Sequence, residues 1–290
     1  MKHVHQLTLV ALTSLLLSGC AKSTYEHGVD FAKEGNYREA IACFNRVIDD
    51  DPKRSTAYSY RAWALAKLGE YNRAIKDASD ALVLEPQSSM AHCARALVFN
   101  EAKKYSSALA DAKAAVIIDP KLGEAHCQMA VALVGLGQLK DALAAYDKAI
   151  EYAPDQPVAF HGRGQVYTEL GDYEHAVEDI SKAIELREHY PRAYFSRGIA
   201  YAKLNKHKEA IEDFSTTITQ TPPDDEVYYQ RGMSHMDLKH YDLATKDFSE
   251  ALSHKPRARY FAERARAYNE LGMKQESLRD QHQAYMVGRR

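Results

Sequence analysis

The stretch Pro157–Tyr190, PVAFHGRGQVYTELGDYEHAVEDISKAIELREHY, is followed directly by PRAYFSRGIAYAKLNKHKEAIEDFSTTITQTPPD, residues 191–224. The two segments align without a gap, Arg163 on Arg197, Gly164 on Gly198, Ala176 on Ala210 and Asp179 on Asp213. Self-similarity at a fixed 34-residue spacing marks a repeat architecture, and it is decisive for the fold because each repeat must bury its apolar face against its neighbours. Moving outward by 34 residues, repeats begin at Ala21, Ser55, Ser89, Gly123, Pro157, Pro191 and Asp225, and an eighth begins one residue early at Ala258.

Position 20 of the repeat holds Ala40, Ala74, Ala108, Ala142, Ala176, Ala210 and Ala244, then Ser277. Position 8 is always Gly or Ala. Positions 20, 24 and 27 are spaced by four and three and lie on one face of a helix, and positions 4, 8 and 11 form a second such face. Small residues at 8 and 20 let two helices approach closely. Gly35, Gly69, Gly137, Gly171 and Gly272 stand between the helices, where a left-handed residue ends the first helix. Pro52, Pro86, Pro120, Pro154, Pro222 and Pro256 close six repeats and start the turn to the next.

A 34-residue helix–turn–helix with these columns resembles the tetratricopeptide repeat (TPR). The resemblance covers about residues 21–285 and implies an all-α fold, a right-handed superhelical solenoid of about eight helix–turn–helix units that forms a single array over residues 21–290. It also implies a concave groove lined by first-helix positions 2, 5, 9, 12 and 13. Position 9 carries Trp63, Leu97, Val131, Ile199 and Met233, and position 5 carries Phe195 and Tyr229. These apolar residues are expected to be surplus to the repeat's own packing and to contact a protein or peptide partner. The Lys and Asn pattern with which some members of the family hold a C-terminal carboxylate is absent.

Arg at position 7 and Asp at position 23 occur together. The pairs are Arg61 and Asp77, Arg95 and Asp111, Arg163 and Asp179, Arg197 and Asp213, Arg231 and Asp247, and Arg264 and Asp280. The two repeats that lack the Arg, with His27 and Met129, also lack the Asp and have Cys43 and Ala145. Joint loss within one repeat predicts a structural ion pair from the first helix to the second of the same unit.

The N-terminus carries a different signal. Lys2 precedes an apolar run from Leu7 to Leu17, followed by Ser18, Gly19 and Cys20. The run is about half the roughly 20 residues that span a bilayer and reads as a signal-peptide core. Leu17-Ser18-Gly19-Cys20 resembles the bacterial lipobox. That resemblance implies a signal peptide over residues 1–19, a mature N-terminus at residues 20–22, and acyl chains on Cys20, with more than one chain giving stable anchoring. Without Asp after Cys20, a periplasm-facing place in the bacterial cell envelope is expected, with the outer membrane favoured.

Composition excludes several classes. The 290 residues carry 38 basic and 40 acidic side chains, a formal charge of −2, which disfavours nucleic acid as a partner. Four cysteines are too few for a disulfide framework. No zincin His pair, Gly-rich phosphate loop or nucleophile elbow is present, so no catalytic residue, enzyme activity or cofactor is expected. Cys93, Cys127 and His161 share position 5 of consecutive repeats, but helices packed roughly 8–10 Å apart hold such ligands too far apart for zinc, and no metal is expected. From His254 to Arg290 there are nine Lys or Arg against four Asp or Glu, a basic end through which self-association stays open. The sequence therefore points to a lipid-anchored binding scaffold, with a pilus- or secretin-type assembly factor as a narrower alternative and an unrecognised groove enzyme as the remaining one.

Overall fold

The computed structural model describes residues 24–222 and 224–289, so the signal-peptide and Cys20 expectations lie outside the described residues. Among the described residues there are sixteen helices and no strand. Contacts divide the chain after Pro154 into two units. The first holds α1 (24–33), α2 (Tyr37–Asp50), α3 (Ser55–Lys67), α4 (Tyr71–Leu84), α5 (Ser89–Glu101), α6 (Tyr105–Ile118), α7 (Gly123–Gly135) and α8 (Leu139–Tyr152). The second holds α9 (Pro157–Leu170), α10 (Tyr173–Leu186), α11 (Pro191–Lys203), α12 (His207–Gln220), α13 (Asp225–Asp237), α14 (Tyr241–His254), α15 (Ala258–Glu270) and α16 (Lys274–Gly288).

Each odd-numbered helix packs antiparallel to the even one that follows it, and within a unit each hairpin's first helix also packs on the second helix of the hairpin before it. Close approach inside a hairpin is why position 20 is Ala: all seven alanines of that column are fully buried. Ser277 fills the eighth place because its hydroxyl donates to the Ala265 carbonyl, 2.9 Å away on the facing helix. In six of the eight repeats position 8 follows the size of position 24, the exceptions being Ala130 with Tyr146 and Ala265 with Gln281. A Cβ on Gly28, Gly164, Gly198 or Gly232 would meet Phe44, Ile180, Phe214 or Phe248 at 2.9, 2.6, 2.7 and 2.8 Å. Where position 24 is Ala78 or Ala112, position 8 is Ala62 or Ala96.

The turn inside each hairpin is the same throughout. Its left-handed residue is Gly35, Gly69, Gly137, Gly171 or Gly272, with φ between 75° and 84°. In the three hairpins without that glycine the chain takes the same conformation at Lys103, Asn205 and Lys239, with φ of 57°, 59° and 62°. The next amide closes the turn by donating back to the first helix, as in Glu70 to Leu65 at 2.9 Å and Lys104 to Phe99 at 2.8 Å.

Candidate functional site

The Arg–Asp columns form fork-on-fork pairs inside each hairpin. Arg61 Nε and Nη2 donate to the two Asp77 carboxylate oxygens at 2.6 and 2.9 Å, and Arg95 does the same to Asp111 at 2.6 and 2.8 Å. Arg163 holds Asp179 at 2.7 and 2.7 Å, and Arg197 holds Asp213 at 2.8 and 2.8 Å. Arg231 and Asp247 meet at 3.0 and 2.7 Å, Arg264 and Asp280 at 2.6 and 2.9 Å. Every one of these aspartates is buried, so the bidentate geometry supplies the hydrogen bonds that an isolated buried carboxylate would lack.

Sequence reasoning missed the third arm of these arginines. Nη1 of Arg61, Arg197, Arg231 and Arg264 reaches back to the preceding hairpin, donating to Asn45, Ser181, Ser215 and Ser249 at 2.8–3.0 Å. Arg95 reaches Ser79 at 3.4 Å. One guanidinium therefore ties two helices of its own hairpin to the neighbour. The signal was present at position 25, which holds Asn45, Ser79, Asp147, Ser181, Ser215 and Ser249 but turns to Lys113 just before the repeat whose Arg is replaced by Met129.

All seven proposed groove residues are half-buried on first helices. The expectation that they are surplus to packing does not hold for five of them. Trp63 lies edge-on to Tyr37, ring centroids 6.0 Å apart, and leans on the core around Phe44 and Ala57. In the second unit Phe195 sits 5.8 Å from Phe214, and Ile199 packs on the same cluster. Tyr229 lies 4.8 Å from Tyr260 and 5.9 Å from Phe248, and Met233 covers Ala244, Phe248 and Ala267. Trp63, Tyr229 and Met233 seal the joint between one hairpin and the next, and Phe195 and Ile199 pack on the cluster that their own α12 forms with Val227 of α13. Leu97 and Val131 sit on α5 and α7 of the first unit.

The second unit also opens a cleft of about 690 Å³ on α13, α15 and α16. Met233, Met236, Ala262, Arg266 and Asn269 line it, with Gln281 at its margin. These first-helix residues occupy positions 9 and 12 of the seventh repeat and 5, 9 and 12 of the eighth, all within the set that the family resemblance assigns to its binding face. In the first turns of α13 and α15, the buried Tyr260 hydroxyl donates to Asp225 at 2.7 Å and Glu226 at 3.2 Å, and burial together with the Asp225 bond pushes its pKa up to about 12.

The remaining reactive groups are quiet. Cys93 and Cys127 are buried free thiols, and burial raises both, Cys127 to about 12, which removes the thiolate that nucleophilic chemistry needs. His161 is buried between Tyr190 Oη, 3.1 Å from Nδ1, and Ser196 Oγ, 3.0 Å from Nε2. A neutral imidazole serves both partners, and burial followed by the charge of Arg192 lowers its pKa to about 4. Among the described residues no group of three or more His, Cys, Asp or Glu could hold a metal ion, and no helix is long and apolar enough to cross a membrane.

Family models described as tetratricopeptide repeat or TPR repeat match residues 25–89, 61–122, 132–171, 164–205, 191–222 and 225–258, well over half of the chain together. This chain belongs to the tetratricopeptide repeat family. No curated protein matches it significantly. Among solved structures, the APC/C hetero-tetramer Cut9–Hcn1 is similar over 87% of this chain with a TM-score of 0.69 at 18% identity. The TPR chain spans half the length of that one. A tetratricopeptide repeat protein from Parabacteroides merdae matches over 89% of this chain and 98% of its own, with a TM-score of 0.55 at 18% identity. PilF from Pseudomonas aeruginosa matches over 70% of this chain and 92% of its own, with a TM-score of 0.62 at 17% identity. At these identities the likeness is one of fold.

Proposed function

We propose that this TPR protein is a non-enzymatic scaffold that binds protein or peptide partners on the face formed by its first helices. We further propose that it does so while anchored through acylated Cys20 in the bacterial cell envelope, facing the periplasm from the outer membrane. The observation that carries the binding reading is the open cleft on α13, α15 and α16, whose apolar floor of Met233 and Met236 is rimmed by the hydrogen-bonding side chains of Arg266, Asn269 and Gln281. An apolar floor with a few convergent polar groups is the usual build of a recognition site. The lipobox supports the anchor.

A photo-crosslinking residue at Asn269 in the cleft, compared with one at the solvent-facing Glu250, tests the binding reading in cells. Discrete adducts from position 269 alone are expected; none there, or the same adducts from both, would sink it. For the anchor, Cys20→Ser should abolish metabolic acyl labelling and release the protein from membranes. The narrower role, a pilus- or secretin-type assembly factor, is favoured by the pairing of a lipobox with an array of this fold. It predicts that deleting the gene leaves a pilus or secretin subunit unassembled.

A further inference from the structure

We propose that the outward face of α4 and α6 in the first unit rests on an anionic membrane surface, with Val83 and Ile117 entering the interface and four lysines meeting lipid phosphates. The proposal takes support from the lipid-anchor reading and adds the protein surface that meets the bilayer.

Val83 and Ile117 are the most exposed large apolar side chains among the described residues, each 79% accessible. Both stand at position 29 of their repeat, near the end of α4 and of α6. Position 29 belongs to an outward stripe of the second helix, positions 18, 22, 25 and 29, spaced by four, three and four. In α6 the stripe is Ser106, Ala110, Lys113 and Ile117, all exposed. In α2, α8, α10, α12 and α14 the same stripe holds at least one Asp or Glu, whereas in α4 and α6 it holds none. The other charge of α6, Asp111, is buried against Arg95.

Cations ring this apolar stripe. Lys103 and Lys104 stand in the turn that enters α6, Lys113 on the stripe itself and Lys121 in the turn that follows. All four are exposed, and none makes an ion pair among the described residues. Nearby acids are largely spent: Glu70, Asp80 and Glu101 hold Arg73, Lys76 and Lys67. Glu85 and Asp119 end α4 and α6, which leaves the face basic.

Protruding side chains offer no recess for the anchor residue of a protein partner. They suit a soft apolar medium under a layer of phosphates, where each lysine adds electrostatic attraction. With 14 residues, α6 lies on a bilayer rather than across it. Cys20 stands four residues before α1, a reach of at most roughly 14 Å, so an acyl chain there would hold the first unit beside the membrane.

The test introduces Ile117→Trp in the full chain and adds vesicles whose acyl chains carry bromine, which quenches an indole only at near-contact. Trp63, the one native tryptophan, gives the background, and Glu151→Trp puts the same side chain at the equivalent position of α8. With vesicles of phosphatidylglycerol and phosphatidylcholine in equal amounts, Ile117→Trp should be quenched beyond the background and Glu151→Trp should not. Adding Lys103→Gln with Lys104→Gln, or Val83→Asp, should raise the anionic lipid needed for half-quenching at least about fivefold. Vesicles of phosphatidylcholine alone should quench far less. An unchanged circular dichroism spectrum in these variants, all at exposed positions, separates loss of contact from loss of fold. Equal quenching at 117 and 151, none at 117, or quenching indifferent to lipid charge would overturn the proposal. No quenching at 117 together with discrete photo-crosslinks from that position to an acidic protein would assign the face to a protein partner instead. Acyl labelling of Cys20 is read separately. A chain without label that is still quenched at 117 keeps the face and loses the anchor; a labelled chain that is not quenched keeps the anchor and loses the face.

Discussion

Gly198 and Phe214 show how single residues set the spacing of two helices. A Cβ at Gly198 would stand 2.7 Å from the Phe214 ring, well inside contact distance. Gly198→Ala should therefore cost about 1–3 kcal/mol through overpacking, and Phe214→Ala about 3–5 kcal/mol through a cavity. The double variant recreates the pairing of Ala62 with Ala78, so its cost should fall short of the sum by at least about 1 kcal/mol; strict additivity in urea unfolding would refute this size matching. The ion pair one position before the glycine makes a second test. Asp213 is buried and Arg197 about one-fifth exposed, so Arg197→Met alone leaves a carboxylate without its partner and should cost about 2–4 kcal/mol. Joining it to Asp213→Leu should recover much of that loss, whereas a double-mutant coupling near zero would deny the pair any energetic role.

At the scale of elements, the hairpin turn and the α9–α11 contact carry the next predictions. Lys239 holds a left-handed conformation that costs an L-residue roughly 1–2 kcal/mol, part of which Gly returns to the unfolded chain as entropy. Lys239→Gly should thus raise stability by about 0.5–1 kcal/mol, and Asn205→Gly by less, since Asn tolerates this region better; equal gains or a loss at Lys239 would contradict the reading. His161 ties α9 to α11 through Ser196. Its pKa is near 4 in the fold against 6.5 when free, so the folded state binds the proton less readily than the unfolded one. Its contribution is complete above pH 6.5 and is lost as the pH falls from 6.5 to 4, a difference of roughly 3 kcal/mol. The buried His235, also lowered by desolvation, acts in the same direction. Replacing His161 by Gln should flatten urea midpoints over that window, and an unchanged slope would remove His161 from the account. The hairpins themselves were legible from the columns at positions 8, 15, 20 and 32, because close packing and left-handed turns restrict residue type wherever they occur. Lys103 and Lys239 were not legible as turn residues, since the hydrogen bonds around them impose a conformation that their own chemistry does not advertise. The packing of Trp63 and Tyr229 was hidden too, because an apolar residue on a binding face and one sealing a joint look alike until the neighbour is placed.

On the scale of the whole molecule, what distinguishes the eighth hairpin is the surface it turns away from the seventh. In the seventh, Met233 and Met236 with the fully buried Phe248 receive Ala267 of the next first helix. The corresponding residues one repeat later are Arg266, Asn269 and Gln281, all exposed, and Gln281 donates to the Ser277 hydroxyl at 3.2 Å. An apolar joint has become a solvated one, as a repeat face left in water requires. The same exchange gives the cleft its polar rim, so the groups that keep this face in water are those proposed to orient a partner. Restoring the internal pattern with Arg266→Met, Asn269→Met and Gln281→Phe should leave each hairpin folded but create an uncovered apolar surface, and exposed patches of that kind drive association. The triple variant should sediment as dimers or larger species at concentrations where the wild type does not, with an unchanged helical circular dichroism spectrum. If it sediments as the wild type does, the polar side chains of α15 and α16 are not what keeps this face unpaired.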